Sequence, residues 1–120
     1  MDASISAIGQ IALTVTDLPR AVGFYRDALG LQYLFEASGM AFFNCGGVRL
    51  MLTGAEKQTA NSILYYKAAD IQALADTLTS KGVTCEAPPR LIAKMPDHDL
   101  WMAFFRDSEG NLLALMSEVR

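Results

Sequence analysis

Two spacings of apolar residues succeed one another along the first half of the chain, and each predicts one kind of element. Alternation with period two indicates strands, and recurrence at every third or fourth position indicates a helix. On this basis we expect a strand, a helix and three further strands, over residues 10–15, 18–29, 31–37, 40–45 and 48–53. Asp17 is a suitable helix N-cap, with Pro19 in the first turn, and Gly30 ends the helix.

The same order of elements is predicted again after a polar linker over 54–61. The second set comprises a strand, a helix capped by Asp70 and ended by Lys81-Gly82, and three strands, over residues 62–67, 71–80, 83–86, 100–106 and 112–116. Pro88-Pro89 and the residues up to Pro96 are predicted to cross irregularly between strands. A repeated unit buries its apolar face against its copy. The sequence therefore predicts an α+β fold of two βαβββ repeats, forming a curled mixed sheet with the helices outside and a central cleft.

The residues from Phe104 to Met116 give the strongest local prediction. Two apolar runs flank a polar turn over 106–111, in which Asp and Asn side chains can bond the backbone and Gly110 accepts a positive φ. This pattern predicts a β-hairpin. Its second strand is apolar on both faces, which indicates a strand that is covered on both sides.

Composition and charge exclude several classes of function. The 120 residues suit one domain, and a net charge of −3 without a basic cluster argues against nucleic acid as a partner. No apolar run approaches the roughly 18 residues that span a membrane, and the N-terminus lacks signal-peptide features, so we expect a cytoplasmic protein with no membrane partner. Cys45 and Cys85 form no CxxC motif and are expected to be reduced and partly buried.

Two segments resemble the motifs of one protein family. The first opens the first predicted helix and is Asp17-Leu18-Pro19-Arg20-Ala21, followed by Phe24-Tyr25 and Leu29-Gly30-Leu31. The second is the hairpin turn Phe105-Arg106-Asp107-Ser108-Glu109-Gly110-Asn111. Together they resemble the opening and closing motifs of the vicinal oxygen chelate superfamily, which includes glyoxalase I, extradiol dioxygenases, fosfomycin-resistance enzymes and bleomycin-binding proteins. The resemblance implies a single domain over 1–120, with modules over 7–54 and 61–118, and a homodimer.

Enzymes of the family that this chain resembles hold a divalent metal with four side chains, one from the first and one from the last strand of each half. The corresponding positions in this chain are Gln10, Met51, Ser62 and Ala114. Divalent metals of this kind need carboxylate or imidazole ligands. The resemblance and these four residues together lead us to expect no metal and no other cofactor.

The leading functional prediction is a metal-free small-molecule-binding protein of the glyoxalase/bleomycin-resistance type, with an organic ligand, aromatic or anionic, in an apolar cleft. The expected ligand-binding residues are Gln10, Thr14, Arg49, Met51, Ser62, Tyr66, Trp101, Phe104, Ala114 and Met116. Arg49 has two interpretations. It meets an anionic group of the ligand, or else it either reaches the rim or pairs with an acid such as Glu36.

Catalysis remains an open alternative. The chain could be a lyase, isomerase or oxygenase with a non-standard metal site, or a metal-independent catalyst that uses His98 and Arg49. His98 lies between Asp97 and Asp99, as a general base could, although a solvated loop would have the same sequence. A scaffold that serves only to form dimers is a third option.

Overall fold

The computed structural model describes residues 3–120. The chain divides into two compact units, Met1–Thr59 and Ala60–Arg120. Each unit contains one four-stranded mixed sheet and one α-helix in the order βαβββ. The predicted α+β class and the two βαβββ repeats are therefore confirmed. The central cleft and the single domain with modules over 7–54 and 61–118 stay predictions.

The first unit forms a sheet in which the first strand pairs with the last. Its elements are β1 (Gln10–Val15), α1 (Leu18–Gly23), β2 (Gln32–Ala37), β3 (Met40–Cys45) and β4 (Val48–Gly54). The strand order is β1-β4-β3-β2, with β1 parallel to β4 and the other pairs antiparallel. A parallel pair needs a crossover connection, and the segment from α1 to β3 supplies it.

The first helix begins as predicted but does not continue as a regular α-helix. The Asp17 side chain accepts a hydrogen bond from the Arg20 backbone N–H at 3.1 Å, which caps α1. Beyond α1 the backbone widens into a π-helical turn over Phe24–Ala28, so the prediction of one regular helix over 18–29 is wrong past its first turns. Tyr25 lies in this wider turn, and its ring packs against Phe43 with centroids 6.2 Å apart.

That contact identifies the two faces of the first sheet. Phe43 pairs with Leu50, so the face carrying these two residues is the one that α1 and the π-helical turn cover. Its buried residues are Leu13, Val15, Ala41, Phe43, Leu50 and Leu52. We call the opposite face of each sheet its far face. In the first unit the alternation of side chains places on the far face Gln10, Ala12, Thr14, Phe42, Asn44, Arg49, Met51 and Thr53.

The second unit repeats this arrangement. Its elements are β5 (Leu64–Lys67), α2 (Ile71–Ser80), β6 (Cys85–Lys94), β7 (Asp99–Arg106) and β8 (Leu112–Val119). The order is β5-β8-β7-β6, with β5 parallel to β8. Asp70 caps α2 as predicted, accepting a hydrogen bond from the Ala73 backbone N–H at 3.0 Å. None of the helices within residues 3–120 has the length and apolar character needed to cross a membrane.

The segment predicted to be an irregular crossing is instead part of a long strand. Pro88-Pro89 lies within β6, which pairs with β7 through a register that shifts three times. Proline cannot donate a backbone hydrogen bond. It is tolerated here because β6 is an edge strand with only one neighbour, and because residues at its bulges do not have to pair with β7. A backbone hydrogen bond from Met95 N to His98 O, at 2.8 Å, closes the hairpin between β6 and β7.

The predicted closing hairpin is present, and its turn is organised by one buried carboxylate. Asp107 is only 7% exposed. Its side chain accepts hydrogen bonds from the backbone N–H groups of Glu109 and Asn111, both at 2.8 Å, and from the Asn111 amide at 3.0 Å. Gly110 has φ of 81°, a conformation that few other residues adopt readily.

The two cysteines differ in exposure, which predicts different reactivity. Cys45 is half-buried and Cys85 is exposed, so the expectation of partial burial holds for only one of them. Burial raises the pKa of the Cys45 thiol and so reduces its thiolate fraction at neutral pH. We expect iodoacetamide to alkylate Cys85 about ten times faster than Cys45, as followed by peptide mass spectrometry. Equal rates in the folded protein, with equal rates in urea as the reference, would contradict this expectation.

Candidate functional site

The far face of the first unit brings together three of the predicted ligand-binding residues. Gln10 and Arg49 are register partners, and Met51 follows on the same side of β4. The Gln10 amide nitrogen lies 3.7 Å from the Met51 sulfur, within hydrogen-bonding range of a thioether. Thr14 lies further along the same face, opposite Thr53. These four residues therefore share one face of the sheet, and their role in ligand binding stays a prediction.

Arg49 lies over an aromatic ring at one end of this face. Its guanidinium carbon is 5.6 Å from the centroid of the Phe42 ring, a cation–π distance. Phe42 in turn stacks on Phe35, with centroids 4.6 Å apart and planes inclined by 25°. Phe42 is buried, whereas Phe35 is 45% exposed. The guanidinium is therefore held in place by a ring rather than by an acid.

A pocket of about 300 Å³ opens beside Arg49. It is lined by Gly9, Gln10, Gln32, Leu34, Asn44, Gly47 and Arg49. Two hydrogen bonds fix the Asn44 amide: its oxygen accepts from the Gly47 backbone N–H at 3.1 Å, and its nitrogen donates to the Gln32 oxygen at 3.2 Å. Because the Gln32 oxygen is used as an acceptor, the Gln32 NH₂ group remains as a donor. Apart from Arg49, none of the described residues that line the pocket carries an ionisable side chain.

The alternative in which Arg49 pairs with Glu36 is wrong. Glu36 pairs with Ala41, whereas Arg49 shares the far face with Phe42, and neighbouring residues of a strand point to opposite faces. Within residues 3–120, no acidic side chain forms an ion pair with Arg49.

In the second unit, the far face carries three of the predicted ligand-binding residues, Ala114, Met116 and Phe104. Ala114 pairs with Tyr65 on one side and with Phe104 on the other. The rings of Tyr65 and Phe104 meet edge to face, with centroids 6.2 Å apart. Ala114 has no exposed surface. A small residue at this position therefore lets two aromatic rings approach each other across the strand.

Two predicted ligand-binding residues of the second unit lie on the opposite face. Tyr66 pairs with Leu115, and Trp101 pairs with Ser117, so neither shares the face of Ala114. Trp101 instead lines a pocket with Ile71 at the start of α2. For Tyr66, the predicted register of the strand is wrong by one residue, which moves the side chain to the other face. For Trp101, the prediction puts it on the same face as Phe104, although residues three apart on a strand point to opposite faces.

The strand register also changes which residue occupies the third of the four positions that hold the metal in enzymes of the family: it is Ile63, not Ser62. In the first unit Met51 pairs with Ala12, and Gln10 precedes Ala12 by two residues. In the second unit Ala114 pairs with Tyr65, and Ile63 precedes Tyr65 by two residues. Ile63 is thus the counterpart of Gln10 in place of Ser62, although both residues precede the first residue of β5, Leu64. One signal in the sequence identifies it, because Ile63 precedes the capping Asp70 by the same seven residues that separate Gln10 from Asp17.

The residues at the four positions do not fit a divalent metal. An amide, a thioether and two alkyl side chains, from Gln10, Met51, Ile63 and Ala114, include no carboxylate and no imidazole. Within residues 3–120, no group of three or more His, Cys, Asp or Glu side chains is placed to hold a metal ion.

The one histidine belongs to a charged cluster at the end of the second unit. His98 Nδ1 lies 2.7 Å from Asp97 Oδ1, and His98 Nε2 lies 3.9 Å from Glu118 Oε2. The hydrogen bond to His98 lowers the pKa of the Asp97 carboxyl. Arg120 lies 3.5 Å from Asp97 and 3.3 Å from Glu118. These contacts orient the imidazole, whose side chain is 14% exposed, and they compete with any substrate for it.

Comparisons with known proteins agree with this architecture. The sequence model of the Glyoxalase/Bleomycin resistance protein/Dioxygenase superfamily matches residues 7–115. The uncharacterized protein YraH of Bacillus subtilis strain 168 is 31% identical over 126 residues, which cover 88% of this chain and 94% of YraH. The metallothiol transferase FosB of Staphylococcus epidermidis is 28% identical over 109 residues, which cover 91% of this chain but 65% of FosB.

Among solved structures, TioX from Micromonospora sp. ML1 superposes with a TM-score of 0.80 at 18% sequence identity. The superposition covers 95% of this chain and 100% of that protein. At this level of identity the likeness concerns the fold alone.

Proposed function

Because the chain belongs to the Glyoxalase/Bleomycin resistance protein/Dioxygenase superfamily, we propose that it is a binding protein that holds a small organic ligand without a metal ion. One observation carries the proposal. The positions expected to hold a metal are occupied by Gln10, Met51, Ile63 and Ala114, none of which suits one. We also propose that the protein is cytoplasmic, as its sequence features lead us to expect, and a homodimer, as the family resemblance implies.

The chemistry of the two far faces supports an organic ligand. Met51 and Met116 offer flexible apolar surface that adapts to different shapes. Phe104 and Tyr65 present aromatic rings on which a flat ligand can stack. The far face of the first unit adds the polar side chains of Gln10, Thr14, Asn44, Arg49 and Thr53. Apolar surface combined with hydrogen-bonding groups that fix the orientation of a ligand is typical of small-molecule sites.

Metal and ligand content of the purified protein test the proposal. We expect protein prepared without chelators to contain far less than one equivalent of divalent metal per chain, by elemental mass spectrometry. We also expect added Mn²⁺, Ni²⁺ or Zn²⁺ to leave its melting temperature unchanged, because a ligand that binds only the folded state would raise it. Native mass spectrometry of the same preparation would identify a co-purified organic molecule. The proposal would be overturned if the protein contained one equivalent of metal and Met51→Ala lost it. Met95→Ala, which replaces an exposed methionine, is the control and should then keep the metal.

A metal-dependent enzyme is the second candidate, and one observation favours it. FosB, which is a metallothiol transferase by name, is 28% identical over 91% of this chain. The chain spans 65% of the length of FosB. The same metal measurement separates the two candidates, since a metallothiol transferase needs its metal and the binding protein does not.

A further inference from the structure

We propose that the pocket beside Arg49 binds the carboxylate or phosphate group of the organic ligand, whose flat apolar part lies toward Leu34 and Phe35. This inference rests on the proposed function and narrows it to organic anions. It concerns the first unit alone, in which all of the pocket residues lie.

The charge of the pocket favours an anion. Arg49 is the one ionisable side chain of its lining, and within the described part of the chain it has no acidic partner. The Phe42 ring lies on one side of the guanidinium, 5.6 Å from its carbon to the ring centroid. Among residues 3–120, no acidic side chain pairs with its N–H groups. A planar guanidinium held in this way can donate two parallel hydrogen bonds to a carboxylate or phosphate.

Neutral donors next to Arg49 suit the same ligand group. The Asn44 amide is fixed by the Gly47 backbone and by Gln32, which leaves the Gln32 NH₂ group to face an acceptor. The Gln10 amide lies at the same pocket and can also donate. Since no carboxylate is among the described residues that line the pocket, none of these groups repels an anion.

Apolar surface borders the polar end of the pocket. Leu34 lines the pocket and is 38% exposed, and Phe35, which stacks on Phe42, is 45% exposed. Exposed apolar residues next to a fixed cation match a ligand with an anionic group at one end and a flat ring at the other. A volume of about 300 Å³ admits a molecule of that size.

Probe binding to Arg49 variants tests the inference. The probes are phenyl phosphate and benzoate, with benzamide as the neutral analogue and inorganic phosphate as the anion without a ring. Binding is followed by NMR titration of the full chain with wild-type protein, Arg49→Met and Arg49→Lys. Arg20→Met is the matched control, because it removes an exposed arginine of α1 outside the pocket. Melting temperatures establish that each variant is folded.

We expect one of the two aromatic anions to bind wild-type protein and to shift the resonances of Gln32 and Asn44. Arg49→Met should weaken that binding about tenfold or more, because charge-assisted hydrogen bonds are lost. Arg49→Lys should weaken it less, since it keeps the charge but not the planar fork, and Arg20→Met should leave it unchanged. The more tightly bound anion identifies the group as carboxylate or phosphate.

Equal affinity of wild-type protein and Arg49→Met for both anions would overturn the inference. So would the absence of any shift at Gln32 and Asn44, and so would inorganic phosphate that binds as tightly as phenyl phosphate. Benzamide that binds wild-type protein and Arg49→Met equally, with no preference for the anions, would overturn the anion pocket yet leave the binding function standing. Stoichiometric metal, by contrast, would overturn the binding function whatever Arg49 does.

Discussion

Replacing Asp107 with alanine will lower the free energy of unfolding by about 3 kcal/mol, because it leaves three partly buried hydrogen-bond donors without their acceptor. The carboxylate accepts three hydrogen bonds in the closing turn, from Glu109 N, Asn111 N and Asn111 Nδ2, at 2.8, 2.8 and 3.0 Å. Its 7% exposure means that water cannot easily replace it. The turn joins β7 to β8, the central pair of the second sheet, so the loss reaches the core of that unit.

Urea denaturation of three variants measures this effect. Asp107→Asn keeps one acceptor oxygen and should lose less stability than Asp107→Ala. Asp70→Ala is the matched control, because Asp70 also accepts a backbone hydrogen bond, from Ala73 N at 3.0 Å, but at an exposed helix N-cap. A lost N-cap costs about 1 kcal/mol. If Asp107→Ala costs no more than Asp70→Ala, the turn does not depend on the buried carboxylate.

The closing turn can be predicted from the sequence because its chemistry is local. The preference of Asp107 to bond nearby backbone groups and of Gly110 for positive φ depend on neighbouring residues alone. The helix caps at Asp17 and Asp70 are local in the same sense. These features, with the repeated order of elements, suffice to predict the βαβββ repeats.

The long strand β6 cannot be predicted from its own residues. Pro88-Pro89 argues against a strand wherever both edges of that strand must be paired. Only the order β5-β8-β7-β6 shows that β6 lies at an edge, and this order depends on pairing between segments far apart in the chain.

The surroundings of Arg49 are also beyond local sequence patterns. Simple alternation places Tyr33 and Phe35 on the same face of β2. The register of β2 with β3 shifts between them, so that Tyr33 pairs with Phe43 while Phe35 pairs with Phe42. This bulge brings Phe35 to the far face, where it stacks on the ring beneath Arg49. The sequence identifies Arg49 as a candidate ligand-binding residue. The stacking of Phe35 on Phe42, the ring beneath Arg49, depends on the bulge and could not be predicted from the sequence.

Replacing Ala114 with glutamate is expected to destabilise the second unit by about 3 kcal/mol or more at neutral pH, although the family resemblance implies a metal-binding carboxylate at this position. Ala114 has no exposed surface, and the rings of Tyr65 and Phe104 meet across it. A larger side chain must separate these rings, which costs about 1–3 kcal/mol. A carboxylate placed there also loses its hydration. The cations of the same sheet face, Arg106 and Lys67, are only diagonal neighbours of Ala114, and Arg106 already pairs with Glu86 at 3.0 Å.

Three conditions separate these causes in urea denaturation. Ala114→Gln introduces the same volume without charge and should therefore cost less than Ala114→Glu at neutral pH. Burial raises the pKa of the introduced carboxyl in the folded state above its value in the unfolded chain. Its charge-related cost is therefore absent at acidic pH and appears as the pH rises through the unfolded-state pKa, so the stabilities of the two variants should converge below about pH 4.

Added Mn²⁺ or Zn²⁺ should not restore the stability of Ala114→Glu, because Gln10, Met51 and Ile63 supply no further carboxylate or imidazole. Recovery of about 2 kcal/mol or more on adding either metal would show that one carboxylate suffices to complete a site, and the metal-free proposal would then fail at its central premise.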